Sequence, residues 1–203
     1  MKLFYVPGTC SLSPHIVARE AGLPVDLELV DRQSKQTSAG RDYKALNPKG
    51  YVPALQLDDG QILTEGTVIV QYLADQKPAT KLAPPAGTME RYRLMEWLNF
   101  IATELHKGVS PLFNPKLPDE LRKTTLERLN DRLGQVERRL AEKPYLMGDA
   151  FSVADAYLFV VLFWCKKRLG VPMGPFPAIE RQYGKLAERP AVAAALKEEG
   201  LVA

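Results

Sequence analysis

Residues 1–14 read Met-Lys-Leu-Phe-Tyr-Val-Pro-Gly-Thr-Cys-Ser-Leu-Ser-Pro and combine a strand, a turn and the start of a helix. Residues 2–6 are a short apolar run that a proline–glycine pair ends. Helical spacing follows over about 13–22, with a proline in the first turn and Gly22 at the end. Cys10 therefore lies at a helix N-terminus, where unpaired backbone N–H groups and the helix dipole favour thiolate over thiol.

Cys10 has two interpretations. A cysteine outside a disulfide is commonly a small buried core residue, whereas a cysteine at a helix start is placed for sulfur chemistry. Ser13 stands where a dithiol oxidoreductase has its second cysteine, so Cys10 can form a mixed disulfide but cannot resolve it locally. The motif therefore favours thiol binding over protein disulfide exchange. Cys165 lies inside an apolar run, and we predict that it belongs to the core.

Strand-like and helix-like segments alternate over residues 1–80. Asp59-Gly60 is a strong hairpin signal between two apolar runs. The order β-α-β-α-β-β-α within this length predicts an α/β domain of thioredoxin-like fold. After the first strand and helix, the predicted elements are a strand at 25–30, a helix at 41–46, strands at 52–57 and 62–63, and a helix at 66–75.

A proline-rich segment separates this domain from the rest of the chain. Residues 76–87 contain three prolines and show no periodicity, which is typical of a linker. Only helical patterns follow, so residues 88–203 are predicted to form an all-α domain. The third of its helices begins with a capping box, Ser152-Val-Ala-Asp155, which we interpret as a folding element. Helices are predicted at 88–110, 120–142, 153–169, 178–188 and 191–198.

The composition argues against several classes of protein. Of the 203 residues, 46% are hydrophobic and 25% are charged, and the net charge of +3 is spread along the chain rather than gathered in a basic stripe. Nucleic-acid binding is therefore not expected. The longest apolar run, residues 156–165, is too short to span a bilayer, and no secretory signal is visible. With only two distant cysteines, the chain is predicted to be cytoplasmic.

Val52-Pro53 precedes a predicted strand, where a proline cannot donate to a ladder. The pair indicates either a plain edge-strand proline or a bend with a cis peptide bond. In a thioredoxin-like fold such a bend lies beside the cysteine, and the backbone of Val52 is then available to a peptide-like ligand.

Thr64-Glu65-Gly66-Thr67 ends a strand and opens a helix. The N–H groups of Gly66 and Thr67 can receive a carboxylate, and Glu65 beside them can accept an ammonium group. Together they match the α-amino acid end of a γ-glutamyl group. The alternative is that the side chains of residues 64 and 65 merely cap the helix.

His106 shares a helix face with Asn99 and Thr103, at i, i+4 and i+7. A polar stripe is often the solvent face of a helix. This one carries short hydrogen-bonding side chains rather than lysine and glutamate, so it also suits the wall of a polar cleft. The other histidine, His15, is assigned no role.

Taken together, the chain resembles a bacterial beta-class glutathione transferase over essentially its whole length. Five motifs in the same order make the resemblance far more specific than any one of them. It implies the glutathione transferase fold, glutathione as co-substrate with no permanently bound cofactor, hydrophobic electrophiles as second substrates, and a homodimer. The matching motifs are Lys2-Leu-Phe-Tyr-x-Pro-Gly-x-Cys10-Ser-Leu, Asn47-Pro-Lys-Gly-x-Val-Pro-Ala-Leu55, Leu63-Thr-Glu-Gly66, Glu96-Trp-Leu-Asn99 through Thr103-Glu-Leu-His-Lys-Gly108, and Phe151-Ser-Val-Ala-Asp-Ala-Tyr-Leu-Phe159.

The resemblance also assigns roles to individual residues. Cys10 would face the glutathione sulfur, and His106 would help to stabilise the thiolate. Roles for Tyr5 and Ser11 stay open. The other glutathione contacts would be Lys35 to the glycine carboxylate, Val52 with Pro53 to the cysteinyl amide, and Glu65 with Gly66 to the γ-glutamyl end. The site would be completed, in part from the partner subunit, by Asn99, Thr103, Glu104 and Leu105. The electrophile pocket is predicted from Pro7, Thr9, Pro111, Leu112, Phe113 and Trp164.

The predicted reaction is attack of the glutathione thiolate on an electrophilic carbon, which serves detoxification. One alternative is a glutathione-dependent thiol reductase or reductive dehalogenase in which Cys10 attacks. Another is a non-catalytic protein that sequesters hydrophobic ligands. A binding protein would need none of Cys10, Glu65 and His106, which argues against the last interpretation.

Overall fold

The computed structural model describes residues 1–202, and contacts within the chain divide it into two compact units. The first unit comprises Met1–Ala83 together with the residues from Arg189 onward, and the second is Pro84–Glu188. The boundary near residue 83 falls inside the proline-rich segment that the sequence indicates as a linker. No helix among the described residues has the length and apolar character needed to cross a membrane.

The first unit is built on a four-stranded mixed sheet. Its strands are β1 (Lys2–Tyr5), β2 (Asp26–Leu29), β3 (Ala54–Gln56) and β4 (Ile62–Thr64). Their order is β2-β1-β3-β4, with β1 parallel to β2 and the other two pairs antiparallel. The predicted thioredoxin-like arrangement is confirmed.

Helices cover both faces of this sheet. They are α1 (Leu12–Glu20), α2 (Tyr43–Leu46) and α3 (Gly66–Asp75). Phe4 packs with Tyr43 and Ala54 in a buried cluster on the α2 side. Leu3 and Leu55, which are register partners, are completely buried on the opposite face because side chains alternate along a strand.

The second unit is helical, as predicted. Helix α4 continues through a π-helical segment, Ile101–His106, into α5. The predicted helix 88–110 is therefore one continuous helix whose pitch changes along its length. A second π-helical segment, Trp164–Arg168, extends α7. The α-helices are α4 (Met89–Phe100), α5 (Lys107–Val109), α6 (Asp119–Glu142), α7 (Val153–Phe163) and α8 (Pro177–Ala187).

Helix α7 forms the centre of this unit, and all of its residues are buried. The predicted capping box is present: the Ser152 amide and hydroxyl both donate to the Asp155 carboxylate, at 2.9 and 2.8 Å. Cys165, in the extension of α7, is fully buried, and burial raises its pKa to about 12. It is the core residue that the sequence predicts.

The last helix, α9 (Pro190–Glu198), groups with the first unit, whereas the sequence-based boundaries put all of 88–203 in one helical domain. It packs against α1. Hydrogen bonds link the two helices: the ring nitrogens of His15 on α1 lie 2.8 Å from Glu198 and 3.0 Å from Glu199. A helical pattern alone does not reveal which core a terminal helix joins.

Candidate functional site

The loop that carries Cys10 is fixed by hydrogen bonds just ahead of α1. The Val6 carbonyl accepts from the Thr9 hydroxyl at 2.8 Å and from the Thr9 amide at 3.2 Å. Ser11 is fully buried, and its Oγ lies 3.2 Å from both the amide and the carbonyl of Val6. Gly8 adopts a φ of +68°, the left-handed conformation that glycine favours. These contacts give Ser11 a place in the scaffold of the loop.

Cys10 is half-buried, and its Sγ donates to the Val52 carbonyl at 3.2 Å. The Val52–Pro53 peptide bond is cis, so the bend is confirmed over the plain edge strand. Tyr43 and Asn47 donate to the carbonyl of Tyr51, at 2.7 and 2.8 Å. The segment opposite Cys10 is therefore held from the side of α2.

Tyr43 is a residue of this neighbourhood that the sequence does not single out. Burial raises its pKa, the hydrogen bond with Asn47 opposes the rise, and charge on Cys10 adds to it. The phenol therefore stays protonated near neutral pH. The only sequence signal was an aromatic residue at the start of a weak helical pattern.

Glu65 immediately precedes α3 and has a φ of +70°. Its carboxylate turns toward Lys49, whose Nζ donates to it at 2.6 Å and to Thr64 Oγ1 at 3.1 Å. A Cβ built on Gly66 would lie 3.6 Å from Pro53 Cγ, so the start of α3 and the cis bend are neighbours. Lys49 lies in the Asn47-Pro-Lys-Gly50 motif, but no role is predicted for it from the motif.

Strand register explains why these residues converge. The end of β1 and the end of β4 both lie beside the start of β3, since Ala54 pairs with Phe4 and with Thr64. Cys10 follows β1, the cis bend precedes β3, and Glu65–Gly66 follows β4. Three motifs that are far apart in the sequence thus meet at one end of the sheet.

Lys35 and His15 occupy other positions in the first unit. Lys35 lies in the loop after β2, and its carbonyl accepts from the Tyr43 amide at 2.8 Å, which ties the loop to α2. Both ring nitrogens of His15 are engaged by carboxylates of α9 and its C-terminal end. One of these, Glu199, also accepts from the Gly8 amide at 2.8 Å, and its charge adds to the burial that raises the pKa of Tyr5.

His106 ends the π-helical segment of the second unit. Its Nδ1 lies 2.6 Å from the Tyr157 hydroxyl, and its ring meets Trp164 edge-on at a centroid distance of 4.7 Å. Burial, with a smaller contribution from Lys107, lowers the pKa of His106 to about 4. The imidazole is therefore neutral at pH 7 and acts as a hydrogen-bonding group rather than a positive charge.

The residues before His106 divide between solvent and core. Thr103 is exposed, and its hydroxyl donates to the Asn99 carbonyl at 3.0 Å. Glu104 pairs with Arg132 at 2.8 Å and Arg128 at 3.2 Å, and these guanidinium groups lower its pKa. Leu105 is fully buried. Its side chain belongs to the core, and only its backbone is available to a ligand.

Three aromatic rings form a row in the second unit. Phe113 meets Trp164 edge-on at 5.9 Å, and Trp164 in turn meets His106. Phe113 is 46% exposed, whereas Leu112 is buried. Of the residues predicted to line an electrophile pocket, Phe113 and Trp164 thus lie in one group with His106. The described residues hold no group of His, Cys, Asp and Glu arranged for a metal ion.

Comparisons with known proteins agree with this architecture. The chain matches the models "Glutathione S-transferase, N-terminal domain" over residues 8–76 and "Glutathione S-transferase, C-terminal domain" over residues 100–190. It is 47% identical over 201 residues to glutathione S-transferase GstA of Escherichia coli O157:H7, which covers 99% of this chain and 100% of that protein. The solved ternary complex of BphK, a bacterial GST, has a TM-score of 0.96 at 56% identity, covering 98% of this chain and 100% of that one.

A glutathione S-transferase of a sphingomonad, solved in complex with glutathione, has a TM-score of 0.94 at 46% identity over the whole of both chains. A thioredoxin-like unit with a cysteine ahead of its first helix, followed by a helical unit, is thus the architecture of a glutathione transferase. The chain belongs to the glutathione S-transferase family. It has a TM-score of 0.94 to the bacterial beta-class enzyme of Sphingomonas chungbukensis, at 46% identity over the whole of both chains, and so belongs to the beta class of that family.

Proposed function

We propose that this protein conjugates reduced glutathione to hydrophobic electrophiles and so removes reactive compounds. The observation that carries the proposal is the meeting of Cys10, the Val52–Pro53 bend and Glu65–Gly66 at one end of the sheet. A relative of 46% identity is solved with glutathione, which supports the tripeptide as the ligand of this group. Reduced glutathione belongs to reducing compartments, so the cytoplasm is the location we propose.

The γ-glutamyl end of glutathione carries both an ammonium and a carboxylate group. We assign the ammonium to Glu65 and the carboxylate to the backbone N–H groups of Gly66 and Thr67. Glu65 is paired with Lys49 in the resting protein, but both side chains are more than half exposed, so exchanging this partner for the ligand costs little.

The rest of the tripeptide then runs toward Cys10. The backbone of Val52, beside Pro53, pairs with the cysteinyl amide, and Lys35 receives the glycine carboxylate. The sulfur comes to rest next to Cys10. Supporting positions, part of them in the partner subunit, are assigned to Asn99, Thr103, Glu104 and the backbone of Leu105.

Catalysis requires the glutathione thiolate, because a thiol is mostly protonated at neutral pH. The neutral N–H of His106 supplies a donor, and hydrogen bonds to a charged group are the stronger kind. Two adjacent thiolates would repel each other, so one of the two sulfurs stays protonated and donates a hydrogen bond to the other. Phe113, which is 46% exposed, offers an apolar surface to the electrophile.

A second candidate is reduction of mixed disulfides, favoured by the half-buried position of the Cys10 Sγ. In that reaction the Cys10 thiolate attacks the glutathionyl sulfur of a mixed disulfide, and the other sulfur leaves as a thiolate. A second glutathione then attacks the Cys10 adduct, which releases glutathione disulfide and restores Cys10. The two activities share one binding site.

We also propose a homodimer. Met89, Tyr92 and Met95 are exposed and lie at i, i+3 and i+6 on α4, which gives one apolar face. Sedimentation velocity should show a dimer for the wild-type chain and a shift toward monomer for Tyr92→Glu. A wild-type monomer at micromolar concentration would contradict the assignment.

The conjugation proposal is tested by two measurements on the wild-type protein. Calorimetric titration should show binding of both reduced glutathione and S-methylglutathione, whose sulfur cannot ionise. An activated aryl chloride should then be consumed only with reduced glutathione. Binding without turnover on the aryl chloride or on a mixed disulfide would favour a sequestering protein, and absence of binding would reject the site.

A further inference from the structure

His106 and Tyr157 meet inside the second unit. The His106 Nδ1 and the Tyr157 hydroxyl oxygen are 2.6 Å apart, and the two rings are nearly perpendicular, at 85°. Tyr157 belongs to α7 and is only 5% exposed. A donor–acceptor distance this short, in a site largely shielded from water, marks a strong hydrogen bond.

The direction of this bond follows from the chemistry of the two groups. A neutral imidazole has a hydrogen on one nitrogen and a lone pair on the other. A phenol hydroxyl is a better donor than a neutral imidazole N–H, and the imidazole lone pair is a better acceptor than a phenol oxygen. The Tyr157 hydroxyl therefore donates to Nδ1, and the ring hydrogen resides on Nε2.

The surroundings keep the ring in this orientation. Trp164 lies edge-on against His106 and is itself 5% exposed, so a rotation of the imidazole would drive it into packed atoms. The π-helical segment that ends at His106 also sets the angle at which this side chain leaves the helix. Such segments occur frequently at functional sites.

We propose that Tyr157 is a positioning residue for His106, holding the Nε2–H tautomer in which His106 can act as the donor assigned to it above. The inference rests on the proposed function, in which His106 donates a hydrogen bond to the glutathione thiolate. With the hydrogen on Nδ1 instead, Nε2 would carry a lone pair and could not donate to a thiolate. No proton is transferred: Nε2 keeps its hydrogen and stabilises the negative sulfur through a charge-assisted hydrogen bond.

The kinetic test compares Tyr157→Phe with Tyr145→Phe, a matched control whose ring packs on Phe151 in the same unit. Loss of one neutral hydrogen bond should lower kcat for conjugation about 3- to 10-fold in Tyr157→Phe, with the KM for glutathione unchanged. The pKa of the bound glutathione thiol, read from thiolate absorbance, should rise by about 0.5–1 unit. Equal kcat and equal thiol pKa in the two variants would overturn the proposal.

A second readout does not depend on activity and is made on the wild-type protein. The chain has only two histidines, so nitrogen NMR of the wild-type protein, assigned with His106→Gln, reports the tautomer of His106 directly. A hydrogen on Nε2 with an unprotonated Nδ1 is the expected result, and a hydrogen on Nδ1 would overturn the proposal. If the wild-type protein fails to conjugate, the proposed function fails, while this spectrum still decides the tautomer.

Discussion

The two units hold their candidate residues in different ways. In the first unit the candidate groups stand on a turn, a cis bend and a helix start, and hydrogen bonds from side chains to backbone carbonyls fix them. In the second unit His106, Tyr157 and Trp164 come from helix interiors, and side-chain packing fixes them. Chemistry carried by turns leaves local sequence motifs, whereas chemistry carried by helices depends on which side chains the packing brings together.

The largest effect should come from the buried carboxylate of the second unit. Asp155 accepts from the amides of Leu146 and Ser152, from the Ser152 hydroxyl and from Gln182, all at 2.8–2.9 Å. Asp155→Ala leaves these buried donors without an acceptor, so the free energy of unfolding in urea should fall by about 3–5 kcal/mol. Asp149→Ala, at an exposed position, should change it by less than about 0.5 kcal/mol. Similar losses in both variants would contradict this dependence on packing.

The next effect is a pH dependence that belongs to the second unit. The pKa of His106 is about 4 in the folded protein and 6.5 ordinarily, so between these values the unfolded chain takes up a proton that the folded chain does not. The free energy of unfolding therefore keeps its full value above pH 6.5 and falls as the pH drops toward 4. Between pH 7.5 and 4.5, the free energy of unfolding of the wild-type protein should fall by about 2 kcal/mol more than that of His106→Gln.

Asp155 acts in the opposite sense. Burial raises its pKa to about 6 against the pull of its hydrogen bonds, so its contribution to stability improves as the pH falls from 6 to the ordinary value of 3.8. Because both proteins contain Asp155, its contribution cancels in the difference. Parallel stability curves for wild type and His106→Gln would show that His106 titrates normally.

The first unit should respond in binding rather than in stability. Glu65→Gln removes the negative charge assigned to the glutathione ammonium, so calorimetry should show a Kd raised about 10- to 100-fold, with the unfolding midpoint little changed. Asp149→Asn is the matched control, because Asp149 is also an exposed carboxylate paired with a lysine. An unchanged Kd in Glu65→Gln would remove Glu65 from the site.

The smallest effect on conjugation is expected at Cys10. Because the glutathione sulfur is the nucleophile, Cys10→Ala should keep conjugation within about fivefold of wild type, which corresponds to about 1 kcal/mol. Reduction of a mixed disulfide, which requires a covalent bond to Cys10, should disappear. Complete loss of conjugation in a folded Cys10→Ala protein would contradict this prediction.

Much of the first unit could be predicted from the sequence. Four residue pairs constrain the backbone locally, so the turns and the ends of the elements beside them could be predicted from the sequence. They are Pro7-Gly8, Val52-Pro53, Asp59-Gly60 and Glu65-Gly66. The strands β1, β2 and β3 are one, two and three residues shorter than predicted, and β4 is one residue longer. The Val6 carbonyl is used by the turn after β1, and the cis bend interrupts the start of β3.

Contacts between segments that are far apart in the sequence could not be predicted from it. Tyr157 lies in an apolar run that predicts only a core helix, and its hydroxyl partner is 51 residues away in sequence. Lys49 was part of a recognised motif without a role, and Leu105 looked like a site residue although its side chain is buried. The attachment of α9 to α1 depends on His15 and Glu199, which are 184 residues apart.

The most direct test of the whole account is a crystal structure of this protein grown with reduced glutathione. The account predicts the γ-glutamyl group at Glu65–Gly66, the cysteinyl amide at the Val52 backbone and the sulfur in contact with the Sγ of Cys10. Glutathione located anywhere else, or a groove closed by side chains at this end of the sheet, would contradict it.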